Sequence, residues 1–185
     1  MAKMIKGIPH YVQETPWYCG VAAVQMVLSY VFAKDDCESQ AQLAESLGTT
    51  KKHGTKITRI RDLLRGYGLN VSLEENMHIE GLMACLDAGW IVIPTFQAWR
   101  MPRGESYANE WECGHYAILI GYNTRSLFFL DPSLSNTIGI IETKEFMQRW
   151  HDYEVVNRKR KKYYRTALIV QLEKRPTKKK YTRIE

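Results

Sequence analysis

Cys19 lies where a helix could activate a sulfur, at the start of a long apolar stretch. Residues 13–32 read QETPWYCGVAAVQMVLSYVF. After the first, more polar residues, a helix over this stretch would have apolar side chains on nearly every face. A helix that begins near Thr15 and Pro16 would hold Cys19 in its first turn, where unpaired N–H groups favour a thiolate. A thiolate attacks carbonyl carbon when a base and an oxyanion donor are near. The competing interpretation is a small core thiol, because free cysteines are commonly buried.

His115 is the histidine best suited to act as that base. The chain has five histidines, and the other four lie in loops or at the ends of predicted helices. His115 instead begins the apolar segment HYAILIGY directly after Gly114. Its side chain is therefore expected to project from the end of a sheet and not from its interior. The alternative is a hydrogen-bonded histidine at a strand edge.

Asp131 is predicted to lie opposite His115. The segments HYAILIGY and SLFFLD flank a short connection that is typical of a β-hairpin. With a three-residue loop at 122–124, residue 115 pairs with residue 131, and their Cβ atoms would be about 5 Å apart. A carboxylate there would hold the tautomer and orientation of the imidazole. Alternatively, Asp131 before Pro132 only starts a turn.

Gln13 and Gly20 flank the cysteine. The side-chain amide of Gln13, six residues before Cys19, is a suitable oxyanion donor, although an ordinary exposed loop residue is the alternative. Gly20 is expected to leave open space beside the sulfur.

Cys113 lies two residues before His115, so both side chains point to one face of an extended segment. Three interpretations follow: an uninvolved thiol, an oxidation partner of Cys19, or a metal ligand together with Cys19, His115 and Asp131. The spacing matches no standard zinc pattern. We therefore favour the uninvolved thiol and predict neither a metal nor a cofactor.

The segment QAWRMPRGESYANEWECG, residues 97–114, is long, polar and aromatic. We expect a loop over a cleft, in which Trp99, Tyr107 and Trp111 line a substrate groove. Packing beneath the loop would explain these aromatic residues equally well.

The remaining pattern predicts an α+β fold. The first helix reaches about Ala33 and is apolar nearly all round, as a central buried helix is. Further helices are predicted at SQAQLAESLG, KITRIRDLLRGYG, HIEGLMACLDAG and KEFMQRWHDY, the last with Trp150 packed and His151 at its C-terminal end. Strands are predicted at WIVIPTFQAW, HYAILIGYN, SLFFLD, TIGIIE and TALIVQLE. Short turns between these strands favour an antiparallel sheet.

The charge of the chain is unevenly distributed. Residues 158–185 carry twelve Lys/Arg and two acidic residues, a balance of +10, whereas the other 157 residues have a balance of −4. We predict one domain over residues 1–172 and a basic tail over 173–185. The segment RKRKKYYR and the tail are expected to be a solvated loop and a frayed end. Contact with an anionic partner, such as nucleic acid, a ribosome or lipid headgroups, is the alternative.

The expected location is the cytoplasm. The N-terminal residues lack the apolar region of a secretory signal, and the apolar runs are too short or too interrupted to span a bilayer. The four cysteines include no CxxC pair and are expected to be thiols, of which Cys37 and Cys85 are inert. The sequence makes no prediction of oligomeric state.

Three segments together resemble a known family: QETPWYCGVAAVQMVL, GHYAILIGY and LDPS. Their order is similar to that of the bacteriocin-processing, double-glycine type of cysteine peptidase in the papain-like superfamily, over roughly residues 8–135. The resemblance implies a papain-like fold with a helical half, a sheet half and a cleft between them. It also implies that Cys19 is the nucleophile, His115 the general base, Asp131 its orienter and Gln13 the oxyanion donor.

Members of that family cut peptides after a Gly-Gly pair, often while fused to an ABC transporter. This chain contains no membrane segment and no ATPase, which separates it from that architecture. A narrow cleft would favour glycine beside the scissile bond, since only glycine lacks a Cβ. The resemblance therefore implies a peptide or protein substrate, with cleavage after Gly-Gly as a hypothesis.

Two other functions remain open at the level of sequence. One is acyl transfer or amide ligation, in which an amine replaces water in the second step. The other is a catalytically silent module that binds a peptide in the same cleft.

Overall fold

The computed structural model describes residues 3–33, 38–99 and 106–172. These residues form five α-helices: α1 Cys19–Phe32, α2 Gln40–Leu47, α3 Ile57–Gly66, α4 Ile79–Asp87 and α5 Thr143–Arg149. They also form ten strands: β1 Lys3–Met4, β2 Asn70–Glu74, β3 Ile91–Gln97, β4 Gly114–Tyr116, β5 Ile118–Tyr122, β6 Ser126–Leu130, β7 Gly139–Glu142, β8 His151–Val156, β9 Lys159–Tyr164 and β10 Ala167–Gln171. Cys37 and the predicted tail 173–185 lie outside the described residues.

The central sheet is antiparallel and has helices on both faces. Its strand order is β2-β10-β3-β5-β6-β7, with β1 beside β5 and β4 beside β3. Alternate residues of β3 point to opposite faces, so Ile91 and Ile93 pack with α1–α3, and Val92 packs with α4 and α5. The predicted α+β class, with an antiparallel sheet mostly from the second half of the chain, is confirmed.

The helix α1 forms the centre of the molecule. Ten of its fourteen residues are buried, in agreement with a sequence that is apolar on nearly every face. It begins at Cys19 and not near Thr15, because residues 14–17 form a turn in which the Tyr18 N–H donates to the Thr15 carbonyl at 3.1 Å. Within the described ranges, neither α1 nor any other helix is long and apolar enough to cross a membrane.

The hairpin of β5 and β6 forms as predicted, but its register differs by two residues. Ile118 pairs with Leu130, which brings Asp131 opposite Ala117 and not opposite His115. The chain turns at residues 124–125 and not at 122–124, because Tyr122 pairs with Leu127, and this offsets the register by three residues. A β-bulge between Leu119 and Gly121 then reduces the offset to two. The side-chain period of a strand is two, so His115 and Asp131 still share one face of the sheet.

The segment 151–165 forms a second hairpin, which corrects two expectations. RKRKKYYR is the strand β9 and its flanks, not a solvated loop, and His151 opens β8 and does not end a helix. The turn residues Asn157 and Arg158 have φ of 51° and 63°, the left-handed pair that a tight type I′ hairpin needs. The sequence did not predict β9 because most of its residues are charged and exposed; among them only Tyr163 is buried.

Candidate active site

Cys19, His115 and Asp131 come together from three separate elements. Cys19 is the first residue of α1, His115 is the middle residue of β4, and Asp131 directly follows β6. All three lie at the junction between the helical layer and the sheet. The sequence predicted this group, and the fold joins residues that are far apart along the chain.

The imidazole and the carboxylate are hydrogen-bonded. The Nε2 atom of His115 lies 2.8 Å from Oδ1 of Asp131. The same oxygen accepts hydrogen bonds from Ser133, at 2.8 Å from its backbone N–H and 2.7 Å from its hydroxyl. Burial raises the pKa of Asp131, but the hydrogen bonds and charge of His115, together with Ser133, outweigh burial and lower it. Asp131 is therefore held as a carboxylate.

The loop that carries Asp131 is fastened by the segment that precedes α1. His10 donates from Nε2 to the Asp131 carbonyl at 2.8 Å, and the Gln13 N–H donates to the Pro132 carbonyl at 2.9 Å. Sequence reasoning missed the role of His10, because nothing local in its surroundings indicates a contact more than a hundred residues away.

Both Asp131 and Cys19 affect the pKa of His115. Burial lowers the pKa of His115, but hydrogen bonds to Asp131 and to the Cys19 side chain, with the charges of both, raise it from 6.5 to about 10. Because Nε2 is hydrogen-bonded to Asp131, Nδ1 is the ring nitrogen that remains for an interaction with Cys19. A protonated imidazole in that position stabilises a thiolate.

Two aromatic rings fix the imidazole. Phe96 meets it edge-on with ring centroids 5.6 Å apart, and Trp99 does so at 5.2 Å. Trp99 is 51% exposed and packs on His115, which is 1% exposed, so Trp99 separates the imidazole from water. Of the aromatic residues singled out in segment 97–114, Trp99 therefore packs on His115, and Trp111 lines the cavity beside Cys19; residues 100–105 are outside the described part.

Gln13 lies beside the site with its amide turned to the backbone. Its Nε2 donates to the Thr15 carbonyl at 2.8 Å, and its buried Oε1 has no hydrogen-bond partner among the described residues. The second N–H of this amide makes no hydrogen bond within the described residues. Its role as a donor stays a prediction.

A cavity of about 300 Å³ opens beside Cys19 and is called here the Cys19 pocket. One wall is the turn formed by residues 51–56. The other wall consists of Trp111, Glu112 and residues 152–155 of β8. Trp111 also stacks on His151 with ring centroids 4.4 Å apart, which ties this wall to the base of the hairpin.

Asp152 is a half-buried acid of this pocket that sequence reasoning missed. It accepts hydrogen bonds from the Thr95 hydroxyl at 2.6 Å, the Tyr153 N–H at 2.8 Å and the Gln97 amide at 3.2 Å. Burial dominates and raises its pKa from 3.8 to about 6, with the charge of Glu154 adding to the effect. A Cβ at Gly114 would lie 2.5 Å from both carboxylate oxygens, so the residue before His115 must be glycine.

Gly20 does not leave open space beside the sulfur. A Cβ there would lie 2.9 Å from the Cβ of Thr55 and 3.1 Å from Cδ1 of Ile60. The missing side chain instead lets the turn 51–56 approach α1, and so positions one wall of the pocket.

The other described cysteines are less suited to react. Burial, and then Glu74, raises the pKa of Cys85; burial, and then Glu110 and Glu112, raises that of Cys113. In the ranges 3–33, 38–99 and 106–172, no three His, Cys, Asp or Glu side chains are grouped to hold a metal ion.

Three solved structures that are similar to this chain are described as peptidases or peptidase domains. A Bacillus anthracis protein described as a C39-like peptidase has a TM-score of 0.67 at 15% identity, with 94% of this chain and 98% of that chain covered. The peptidase domain of Streptococcus ComA, a bi-functional ABC transporter, has a TM-score of 0.62 at 17% identity, with 90% and 100% covered.

A double-glycine motif protease from the AMS/PCAT transporter, solved with its leader peptide, has a TM-score of 0.57 at 17% identity, with 93% and 99% covered. At these identities the likeness shows the fold, and the expected papain-like fold is confirmed. A comparison with curated proteins gave no match.

The model of the Peptidase_C39 like family matches residues 5–157, which include Cys19, His115 and Asp131. The resemblance noted in the sequence is therefore confirmed. This chain belongs to the Peptidase_C39 like family.

Proposed function

We propose that this protein is a cysteine peptidase that hydrolyses peptide bonds through Cys19, His115 and Asp131. The observation that carries the proposal is the pairing of His115 Nε2 with Asp131 Oδ1 at 2.8 Å, on an imidazole whose pKa is also raised by the Cys19 side chain. Nucleophile, base and orienter are the groups that acyl transfer from an amide requires.

In the proposed reaction, the thiolate of Cys19 attacks the peptide carbonyl and forms a tetrahedral intermediate. The Cys19 N–H and the free amide N–H of Gln13 would donate to its oxyanion. The imidazolium of His115 protonates the departing amine, which leaves a thioester on Cys19. His115, now neutral, takes a proton from water as the water attacks the thioester, and the acid product departs.

Asp131 orients His115 throughout the reaction and does not itself exchange a proton. Its carboxylate, held by Ser133 and with a lowered pKa, keeps Nε2 protonated and directs Nδ1 to the sulfur. Trp99 and Phe96 exclude water from this pair, which strengthens the interaction.

Cleavage after Gly-Gly is part of the proposal. It is supported by the family and by a structural neighbour that is a double-glycine motif protease. The turn 51–56 and Gly114 line the same cavity as Cys19, so a glycine beside the scissile bond would fit with least repulsion.

A peptide-library assay tests the proposal, with the protein compared to Cys19→Ala. We expect cleavage by the protein, none by the variant, and faster turnover of Gly-Gly than of Ala-Ala peptides. Equal cleavage of both would reject the glycine preference. Cleavage that survives Cys19→Ala would reject the nucleophile.

Iodoacetamide at slightly acidic pH separates a peptidase from a silent binding module. Cys19 should be alkylated ahead of Cys85 and Cys113, whose thiol pKa values are raised. Equal and slow alkylation of all thiols would favour a binding module. Addition of a primary amine during turnover would reveal amide transfer as a new product.

A further inference from the structure

Gln40, the first residue of α2, is a buried glutamine that the proposed reaction does not use. Only 3% of its surface is exposed. A buried side-chain amide needs hydrogen-bond partners, because an unpaired polar group inside a protein costs free energy. The nitrogen of the Gln40 amide donates to two groups and its oxygen accepts from one. These partners show what the side chain holds.

The side chain of Gln40 is not needed to start its own helix. The helix α2 begins with a capping box, in which the Ser39 hydroxyl accepts from the Gln42 N–H and the Gln42 side chain accepts from the Ser39 N–H. Gln40 takes no part in these two bonds. Its amide instead reaches the segment that precedes α1.

The amide of Gln40 holds the backbone on both sides of Gln13. Its Nε2 donates to the Val12 carbonyl at 2.8 Å, and its Oε1 accepts from the Glu14 N–H at 2.9 Å. The Gln13 N–H, in the same peptide group as the Val12 carbonyl, donates to the Pro132 carbonyl at 2.9 Å. Both peptide planes that meet at the Cα of Gln13 are thus held by contacts from distant segments.

Held peptide planes fix the direction in which a side chain leaves the backbone. The two planes set φ and ψ at Gln13, and these angles set the direction of its Cα–Cβ bond and restrict its rotamers. An oxyanion donor has to be in place before the reaction, because reorganisation during the reaction would cost part of the stabilisation. One N–H of the Gln13 amide is further held by the Thr15 carbonyl at 2.8 Å, so the direction of the other N–H is set as well.

Gln40 is also tied to the helix that carries the candidate nucleophile. Its Nε2 donates to Oε1 of Gln25, on α1, at 3.2 Å. The Gln25 Nε2 donates in turn to the Glu38 carbonyl, just before α2, at 3.1 Å. The segment of Gln13 is therefore linked through Gln40 to α1, whose first residue is Cys19.

On these grounds, and resting on the proposed peptidase function, we propose that Gln40 is a positioning residue that holds the Gln13 amide where it donates to the oxyanion. Gln40 touches neither the substrate nor the reacting atoms and acts through Gln13. Its loss lowers kcat and leaves KM nearly unchanged, because the oxyanion forms only after the substrate has bound.

A double-mutant cycle with Gln13 tests the proposal. Gln40→Met removes all three hydrogen bonds with a side chain of similar length, and it should lower kcat for a cleavable peptide by about tenfold. In a Gln13→Ala background, the same substitution should change kcat by less than about twofold, because the amide that it misplaces is absent. The same loss in both backgrounds would overturn the proposal, as would an unchanged kcat in Gln40→Met.

Gln42→Met is the matched control. It removes the same type of side chain from the same helix, and the hydrogen bonds that it breaks go to Ser39 at the start of α2. Both variants should lose stability in denaturant unfolding, and only Gln40→Met should lose turnover. Equal losses of kcat would show that a weakened α2 is the cause, and the proposal would be wrong.

A second variant serves if Gln40→Met does not fold. Gln40→Glu keeps the acceptor for the Glu14 N–H and removes the donation to the Val12 carbonyl. Its kcat should also fall with Gln13 present and stay nearly constant in the Gln13→Ala background. Equal losses in the two backgrounds would again reject the role of Gln40.

Alkylation of Cys19 separates the oxyanion donor from the rest of the site. The rate with iodoacetamide should stay close to that of the unsubstituted protein in Gln40→Met, since alkylation forms no oxyanion. A parallel fall in alkylation and turnover would show that Gln40 acts through the Asp131 loop, which the same segment holds, and would reject the proposal. An unsubstituted protein that cuts no peptide would reject the peptidase function, whereas turnover with independent effects in the cycle would reject only the role of Gln40.

Discussion

His115 and Asp131 meet diagonally across the sheet and not as a direct pair. Leu130, the last residue of β6, pairs with Ile118, so Asp131 lies opposite Ala117, yet its Oδ1 reaches His115 Nε2 at 2.8 Å. Diagonal neighbours on one face of a sheet are within reach of long side chains. The contact therefore depends on the shared face more than on the register, and an even shift of the hairpin preserves it.

Asp131→Asn is expected to lower kcat/KM by about 10²–10⁴-fold, because an amide neither holds the imidazolium nor fixes its tautomer. Ser133→Ala is the matched control, since it removes a neutral donor from the same oxygen, and it should lose much less activity. Steady-state kinetics with a cleavable peptide checks both. Equal activity of Asp131→Asn and Ser133→Ala would show that Asp131 has no role in catalysis.

The pKa of His115 should fall in Cys19→Ala. The hydrogen bond and charge of Cys19 help to raise this pKa to about 10, whereas burial, which lowers it, remains in the variant. The imidazole would then lose its proton at a lower pH than in the unsubstituted protein. NMR titration of the ring nitrogens measures the midpoint; an unchanged value would show that the sulfur and imidazole are not coupled.

Gln13→Ala should lower kcat by about 10²–10³-fold if its amide binds the oxyanion. The rate of Cys19 alkylation should stay close to that of the unsubstituted protein, because alkylation forms no oxyanion. A structural role would affect both rates together, since the Gln13 backbone also holds the loop of Asp131 through Pro132. Parallel losses in turnover and alkylation would therefore contradict the prediction.

Gly20→Ala is expected to destabilise the fold by about 1–3 kcal/mol, because the new Cβ would meet Thr55 at 2.9 Å and force the turn 51–56 away. Gly66→Ala is the matched control on another helix, with no atom within 4 Å of its new Cβ. It should stabilise by about 0.5–1 kcal/mol through helix propensity. Denaturant unfolding compares the two; destabilisation of similar size in both would show that the clash at Thr55 is not the cause.

Asp152→Asn should remove part of the pH dependence of stability. Burial raises the pKa of Asp152 from 3.8 to about 6, so between these values the folded protein binds more protons than the unfolded chain, and its stability falls as pH rises. The contribution is about 3 kcal/mol. Stability of the variant above pH 6 should rise relative to the unsubstituted protein, whereas the exposed Asp62→Asn should change little. Parallel stability curves for the two Asn variants would refute the argument.

Local patterns in the sequence predicted most of the helices, the strands β3–β7 and β10, and the residues of the candidate site. The apolar run after Cys19 predicts α1, and the short connection between HYAILIGY and SLFFLD predicts a hairpin. The even period of strands puts His115 and Asp131 on one face. These signals depend on neighbours within a few residues, so they survive errors in register and in the first turn of the helix. The family and the papain-like fold follow from the same segments.

Only the tertiary structure decided what surrounds the sulfur. The contact of His10 with the Asp131 loop, the carboxylate of Asp152 beneath Gly114 and the packing of Thr55 on Gly20 join segments that are distant along the chain. The sequence also did not predict the basic hairpin β8–β9, because its strands bury little apolar surface of their own. Such contacts depend on how the complete chain packs, and no local pattern of side chains encodes them.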